Sequence, residues 1–221
     1  MFILFPFTSA TYESVIDFQS RIPPNYRWPE VGDFWFTIVT TIFFIALENA
    51  FQVVLYDWFY QICKEKDDLE ARDRRTRKAI QNIYKVLYYL SVSLFGWYTL
   101  KDSYILPRGL GGSGNLYDEF KDFPYIIHPD LYKFYFTGTM GYHIGGLLTH
   151  MFSAKKHNDY IEMMFHHLVT AYLFAFSYMT NTLIGAVVAL IHDASDVFVS
   201  WTRIWAETNY KRVTAYSFIF T

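Results

Sequence analysis

The sequence predicts an all-α membrane protein, a bundle or barrel of about five to six transmembrane helices. Three observations carry this. Hydrophobic residues make up 52% of the 221 residues and aromatics 21%, well above the share of a water-soluble domain of this size. The apolar residues fall into stretches of roughly twenty, the length a helix needs to cross a ~30 Å hydrocarbon core. Charges collect in the connections between these stretches and are shared unevenly between two sides. Mean hydropathy is only +0.10 because tyrosine and tryptophan score as polar, although both suit the membrane interface and helix packing. A formal net charge of -2 offers no polyanion-binding face and argues against nucleic acid as a partner. The single cysteine, Cys63, excludes an internal disulfide or a cysteine metal cluster.

Residues 1–32 read as an N-terminal lead. It has no basic segment before its short apolar start and so is not expected to be a cleaved signal peptide. Residues 33–221 read as one transmembrane domain. The first spanning stretch is 34–60, after Pro23, Pro24 and Pro29. The second is 83–106, stopped by Pro107. Gly109 to Gly114 follow as a flexible connection, lacking the lysine and strand context of a phosphate loop. An acidic, turn-rich stretch then leads to Pro129. The third helix is expected over 131–152, the fourth over 160–179 and the fifth over 183–205, with a sixth starting near Val213.

The basic residues sort to one side. Lys64, Lys66, Arg72, Arg74, Arg75, Arg77 and Lys78 follow the first stretch, Lys155 and Lys156 the third, and Arg203, Lys211 and Arg212 the fifth. The opposite side has Arg108 and Lys121 among Asp118, Glu119, Asp122 and Asp130. The basic side is therefore expected to be cytoplasmic or matrix-like, with the N-terminus opposite. Glu65, Asp67, Asp68, Glu70 and Asp73 are interleaved with the first basic group, so that segment reads as a solvated helical face rather than a lipid-headgroup clamp.

Ionisable groups inside a span cost a few kcal/mol each and need partners or a wet cavity. The fourth helix carries His166 and His167, the fifth His192, Asp193 and Asp196. If the chain reverses at Thr180 and Asn181, the pair lies about fourteen residues before the turn and His192 about twelve after it. At 1.5 Å per residue both sets sit roughly 20 Å from the turn, nearer the basic face, and can form one site. His192 and Asp196 are four apart and Asp193 and Asp196 three apart, so they share a stripe, while His166 lies one turn from Thr170. A carboxylate beside an imidazole fixes its tautomer and raises its basicity, as needed to deprotonate an amine or activate a nucleophile. A buried network that only joins helices is the alternative.

The run Asn158-Asp159-Tyr160-Ile161-Glu162-Met163-Met164-Phe165-His166-His167-Leu168-Val169-Thr170 resembles the opening of the longevity-assurance motif of the ceramide synthases, in the TLC-domain group. Ser177-Tyr178 with Asn181, and His192-Asp193-Ala194-Ser195-Asp196-Val197-Phe198, resemble its remainder. The resemblance implies a TLC-like helical barrel open to lipid, residence in the endoplasmic reticulum, and N-acylation of a sphingoid base by a long-chain acyl-CoA. It makes His166, His167, His192, Asp193 and Asp196 catalytic, and Thr170, Tyr178 and Asn181 substrate-binding. Acyl-CoA is then a substrate, and no cofactor or metal is expected. Membrane lipids and a homo- or hetero-oligomeric partner are. The chain stops within what would be the family's next helix, and shows neither the acidic tail nor the homeobox-like insert of ceramide synthases. A second expectation is therefore a non-catalytic TLC-fold accessory subunit of a larger membrane complex, for example in the mitochondrial inner membrane.

Other residues carry weaker expectations. His143 and His150 are seven apart on one helix face and could approach the site. His128 and His157 read as interfacial. Glu48 and Asp57 read as cavity-facing or partner-paired, and Gly138, Gly141, Gly145 and Gly146 as close helix contacts. A membrane di-iron enzyme is the chemical rival, with His166, His192 and Asp193 as conceivable ligands.

Overall fold

The computed structural model describes residues 20, 22, 26–63, 68–115, 117–121, 123, 125–152, 160–208 and 210–219. The basic residues Lys64, Lys66, Lys155 and Lys156, together with His157 and the motif residues Asn158 and Asp159, lie outside them. Among the described residues the chain is all helical, apart from one isolated bridge between Cys63 and Thr208.

A 3-10 turn at Val31–Phe34 leads into α1, Trp35–Ile62. With 28 residues, α1 is about 42 Å long and overshoots a ~30 Å core. Asp57 can therefore sit exposed on its last two turns, and the expectation that it faces a cavity gives way to this placement. The helix α2, Leu69–Leu100, starts well before the apolar run at 83. Asp68 caps it, accepting from the Ala71 amide at 3.0 Å. Glu70–Arg74 and Asp73–Arg77 line its solvated first turns as i,i+4 pairs. It ends at Leu100 rather than at Pro107, because residues 101–106 turn back on themselves. A short α3, Asp118–Lys121, sits in the long connection. Then come α4, Tyr132–Met151, α5, Tyr160–Met179, and α6, Ile184–Ala206, close to their expected bounds. The last helix, α7, Lys211–Ile219, folds back on α6.

Two segments, Val31–Ile62 and Ile184–Ala206, are long and apolar enough by composition to cross a membrane. Large apolar side chains on the outside of the bundle, such as Ile38, Val53, Leu94, Phe165, Val188 and Phe198, are more than half exposed. A soluble monomer rarely shows so broad an apolar surface.

Small residues let α1 lie close on α4. Thr37 donates to the Thr137 carbonyl at 2.9 Å and Thr41 to that of Gly141 at 3.1 Å. A Cβ on Gly141 would meet Thr40 Oγ1 at 2.0 Å, so only glycine fits there. The helix α6 packs along α2 rather than along α5, which opens a cleft between α5 and α6. Arg75 binds Glu207 at 2.8 Å and places the start of α2 beside the end of α6. At the other end Asp33 accepts from Tyr178 at 2.8 Å and pairs with Lys133. There Glu119, buried, accepts from the Leu183 amide at 2.8 Å and from Tyr104 at 2.6 Å.

Candidate functional site

The turn between α5 and α6 sets the register of the site. Asn181 adopts φ 59°, a left-handed conformation that asparagine tolerates, and donates to the Ile126 carbonyl at 3.1 Å. Counting back from this turn, His166 and His192 reach the same depth, with rings stacked 5.9 Å apart and 24° from parallel. His167 is buried, 5.5 Å from His166. His143 on α4, 1% exposed, completes the group at 5.8 Å from His167 and 6.2 Å from His166. His150, two turns along α4, lies 6.4 Å from His167.

Two cavities of opposite character meet at these rings. One, about 540 Å³, lies between α4, α5 and α6. Its inner end is His143, His192 and Asp193, its walls include Thr170, Phe174 and Val188, and Glu119 and Phe120 lie towards the far end. From Asp193 to Ile184 it follows nine residues of α6, about 13.5 Å. The other, about 310 Å³, is polar and opens toward the end where Arg75 meets Glu207. Glu48, Lys78, Lys85, His150, His167 and Arg203 line it. His143 and His167 stand between the two.

The two aspartates differ in what they do. Asp196 Oδ2 lies 3.4 Å from His192 Nδ1, a contact that orients an imidazole whose side chain is half exposed to the α5–α6 cleft. Asp193, 2% exposed, lies at the inner end of the apolar cavity, near enough to Tyr88 and Tyr89 of α2 and Tyr135 of α4 for its charge to act on them. Its Oδ2, and Nδ1 of His143 and of His167, are buried without a hydrogen-bond partner among the described residues. Such groups rarely stay unpaired, and His143 and Asp193 line the inner end of the apolar cavity while His167 lines the polar one. Among the described residues no three histidine, cysteine or carboxylate side chains converge closely enough to hold a metal ion.

Of the eight expected site residues, the structure brings His166, His167, His192, Asp193 and Asp196 together, with Thr170 one turn down the apolar cavity. Tyr178 and Asn181 lie at the far end instead. Tyr178 is engaged by the buried carboxylate of Asp33 and Asn181 by the Ile126 carbonyl, so both side chains hold helix ends together. Sequence reasoning did not single out Lys85, which lines the polar cavity and carries no local signal of a site. Glu48 proves to be cavity-facing, held by Gln81 at 2.9 Å. Gly146 has a different use from helix contact: a Cβ there would meet the His167 ring at 2.8 Å, so the bare glycine seats the imidazole.

Comparison with known proteins supplies the family context. A family model described as TLC domain matches residues 78–221, well over half of the chain. Ceramide synthase hyl-2 of Caenorhabditis elegans is 21% identical over 195 residues, 85% of this chain and 57% of that protein. Ceramide synthase hyl-1 of the same organism is 25% identical over 150 residues, covering 66% and 38%. Ceramide synthase LOH2 of Arabidopsis thaliana is 34% identical over 74 residues, covering 33% and 25%. The chain thus spans less than two thirds of the length of these relatives.

Proposed function

Because this chain belongs to the TLC-domain family of membrane proteins, we propose that it is a ceramide synthase-like N-acyltransferase, joining a long-chain acyl-CoA to a sphingoid base. The observation that carries the reading is the meeting of an apolar cavity and a polar one, in which Lys78, Lys85 and Arg203 outnumber Glu48 and Glu207, at one cluster of histidines and Asp193. A long-chain acyl-CoA has those same two characters, joined at the thioester. The acyl chain lies in the apolar cavity, and the anionic nucleotide end lies toward Lys78, Lys85 and Arg203 on the cytoplasmic side. The thioester then stands beside His143, His166 and His167. The amine reaches it through the α5–α6 cleft, which is open to lipid.

One imidazole of His166, His167 and His192 acts as base for the amine or as transient acyl acceptor. Asp196 orients His192, and the buried carboxylate of Asp193 offers charge stabilisation to the reacting group. Thr170 touches the chain near the carbonyl. This chemistry requires no resident cofactor. The reading includes five to six spanning helices arranged as a barrel open to lipid, and residence in the endoplasmic reticulum.

The half-exposed side chain of His192 and the apolar cleft beside it also favour a second reading. In that reading another polypeptide covers the cleft, and the chain is a non-catalytic subunit of a larger membrane complex. His167→Ala and Asp193→Ala separate the two readings. Each should abolish N-acylation in membranes while the protein stays inserted, and parent-level ceramide formation by both would sink the catalytic assignment.

A further inference from the structure

We infer that His150 passes the proton released during amide formation from the buried site to the polar cavity, as the outer member of an imidazole relay. The inference rests on the acyltransferase reading above. An aliphatic amine enters as an ammonium ion at neutral pH. When the C–N bond forms and the C–S bond breaks, its nitrogen goes from three hydrogens to one. The departing thiolate takes one proton and leaves as the thiol. The second has to leave a cavity walled by Phe136, Leu173, Phe174 and Val188.

The imidazoles offer a route out. His192 to His166 is 5.9 Å between ring centres, His166 to His167 5.5 Å, and His167 to His150 6.4 Å. Gaps of this size are closed by one bridging water, and an imidazole can accept on one nitrogen while it donates from the other. His167 and His150 both line the polar cavity, whereas His143 and His192 line the apolar one. His150 is stacked on Tyr160 at 5.3 Å and 12°, which fixes its ring plane. Among the described residues, the charged and titratable groups around it are Glu48 from α1, Lys78, Tyr84 and Lys85 from α2, Tyr142 from α4, His167 and Tyr160 from α5, and Arg203 with Glu207 at the end of α6. Glu207 is bound by Arg75. Glu48, held by Gln81, lines the same cavity and is a carboxylate able to take the proton there.

The test compares N-acylation by membranes holding the parent chain, His150→Ala or His150→Gln across about pH 6–9. Glutamine keeps the size and hydrogen bonding but cannot carry a proton. Both variants should lose about tenfold in kcat with KM for acyl-CoA unchanged, show a larger solvent deuterium isotope effect, and flatten the pH profile. Added imidazole, small enough for the polar cavity, should restore part of the rate to His150→Ala. A glutamine variant at the parent rate, or an alanine variant whose loss lies in KM and resists imidazole, overturns the relay. A folded parent chain without turnover overturns the acyltransferase reading beneath it, so the two failures are distinct.

Discussion

Gly146→Ala tests whether the seat of His167 matters to the chemistry. The added Cβ would lie 2.8 Å from His167 Cε1, 3.0 Å from Nε2 and 3.2 Å from Nδ1. Ordinary contact begins at 3.4 Å, so the ring must retreat by 3.4 − 2.8, or 0.6 Å, at least. His167 is 8% exposed, with His143 and His166 within 6 Å, so it cannot retreat without tilting away from the cavity junction. Misplacing a catalytic group by about 1 Å can cost about a hundredfold, and a shift of this size should cost roughly tenfold or more. Stability should change less. Alanine gains about 1 kcal/mol of helix propensity, against about 1–3 kcal/mol for overpacking. The assay pairs initial acylation rates with thermal unfolding of the same preparation. Gly138→Ala in the same helix is the control, because its Cβ would meet only Phe36 at 3.4 Å and should leave the rate intact. A Gly146→Ala variant with the parent rate at parent stability would refute the reasoning.

Three further outcomes are expected on the same structural grounds. Tyr178→Phe removes the donor 2.8 Å from buried Asp33 and should cost about 1.5–3 kcal/mol of stability with KM unchanged; a raised KM at full stability would return Tyr178 to the substrate. Burial pushes the His128 imidazole down to about 4 from its ordinary 6.5. The neutral ring's stabilisation is thus present above about pH 6.5 and lost as pH falls toward 4, up to about 3 kcal/mol, and His128→Gln should remove that part of the acid slope in a thermal melt. Single cysteines at Arg74 and Asn115, with Cys63 replaced, should be labelled from opposite sides of sealed vesicles; labelling of both from one side contradicts the topology.

Features set by the fixed geometry of a helix were legible in the sequence. The meeting of His166 with His192 could be counted from the turn because the rise of a helix is constant. Asp68, Glu70, Asp73, Arg74 and Arg77 announced a solvated helical face, and the start of α2 bears this out, although the apolar run alone placed that start at 83. Features that depend on which helices pack together were only partly legible. The sequence put His143 on a face able to approach the site, and the packing of α4 on α5 brings it there, whereas nothing in the sequence placed Tyr88 near Asp193, where the packing of α2 on α6 brings it. Glu48 acquires its partner Gln81 only through the α1–α2 contact. Tyr178 and Asn181 share a motif string with the histidines but hold the far end of the bundle, since proximity in a motif does not fix depth in a helix.

The most direct test is to purify the chain in mild detergent, establish by mass whether other polypeptides accompany it, and supply a long-chain acyl-CoA with a sphingoid base. An acyltransferase built around these histidines should form the N-acyl amide and free CoA in equal amounts without any other protein. A folded chain that forms no amide, recovered in a stoichiometric complex with another polypeptide, would contradict it.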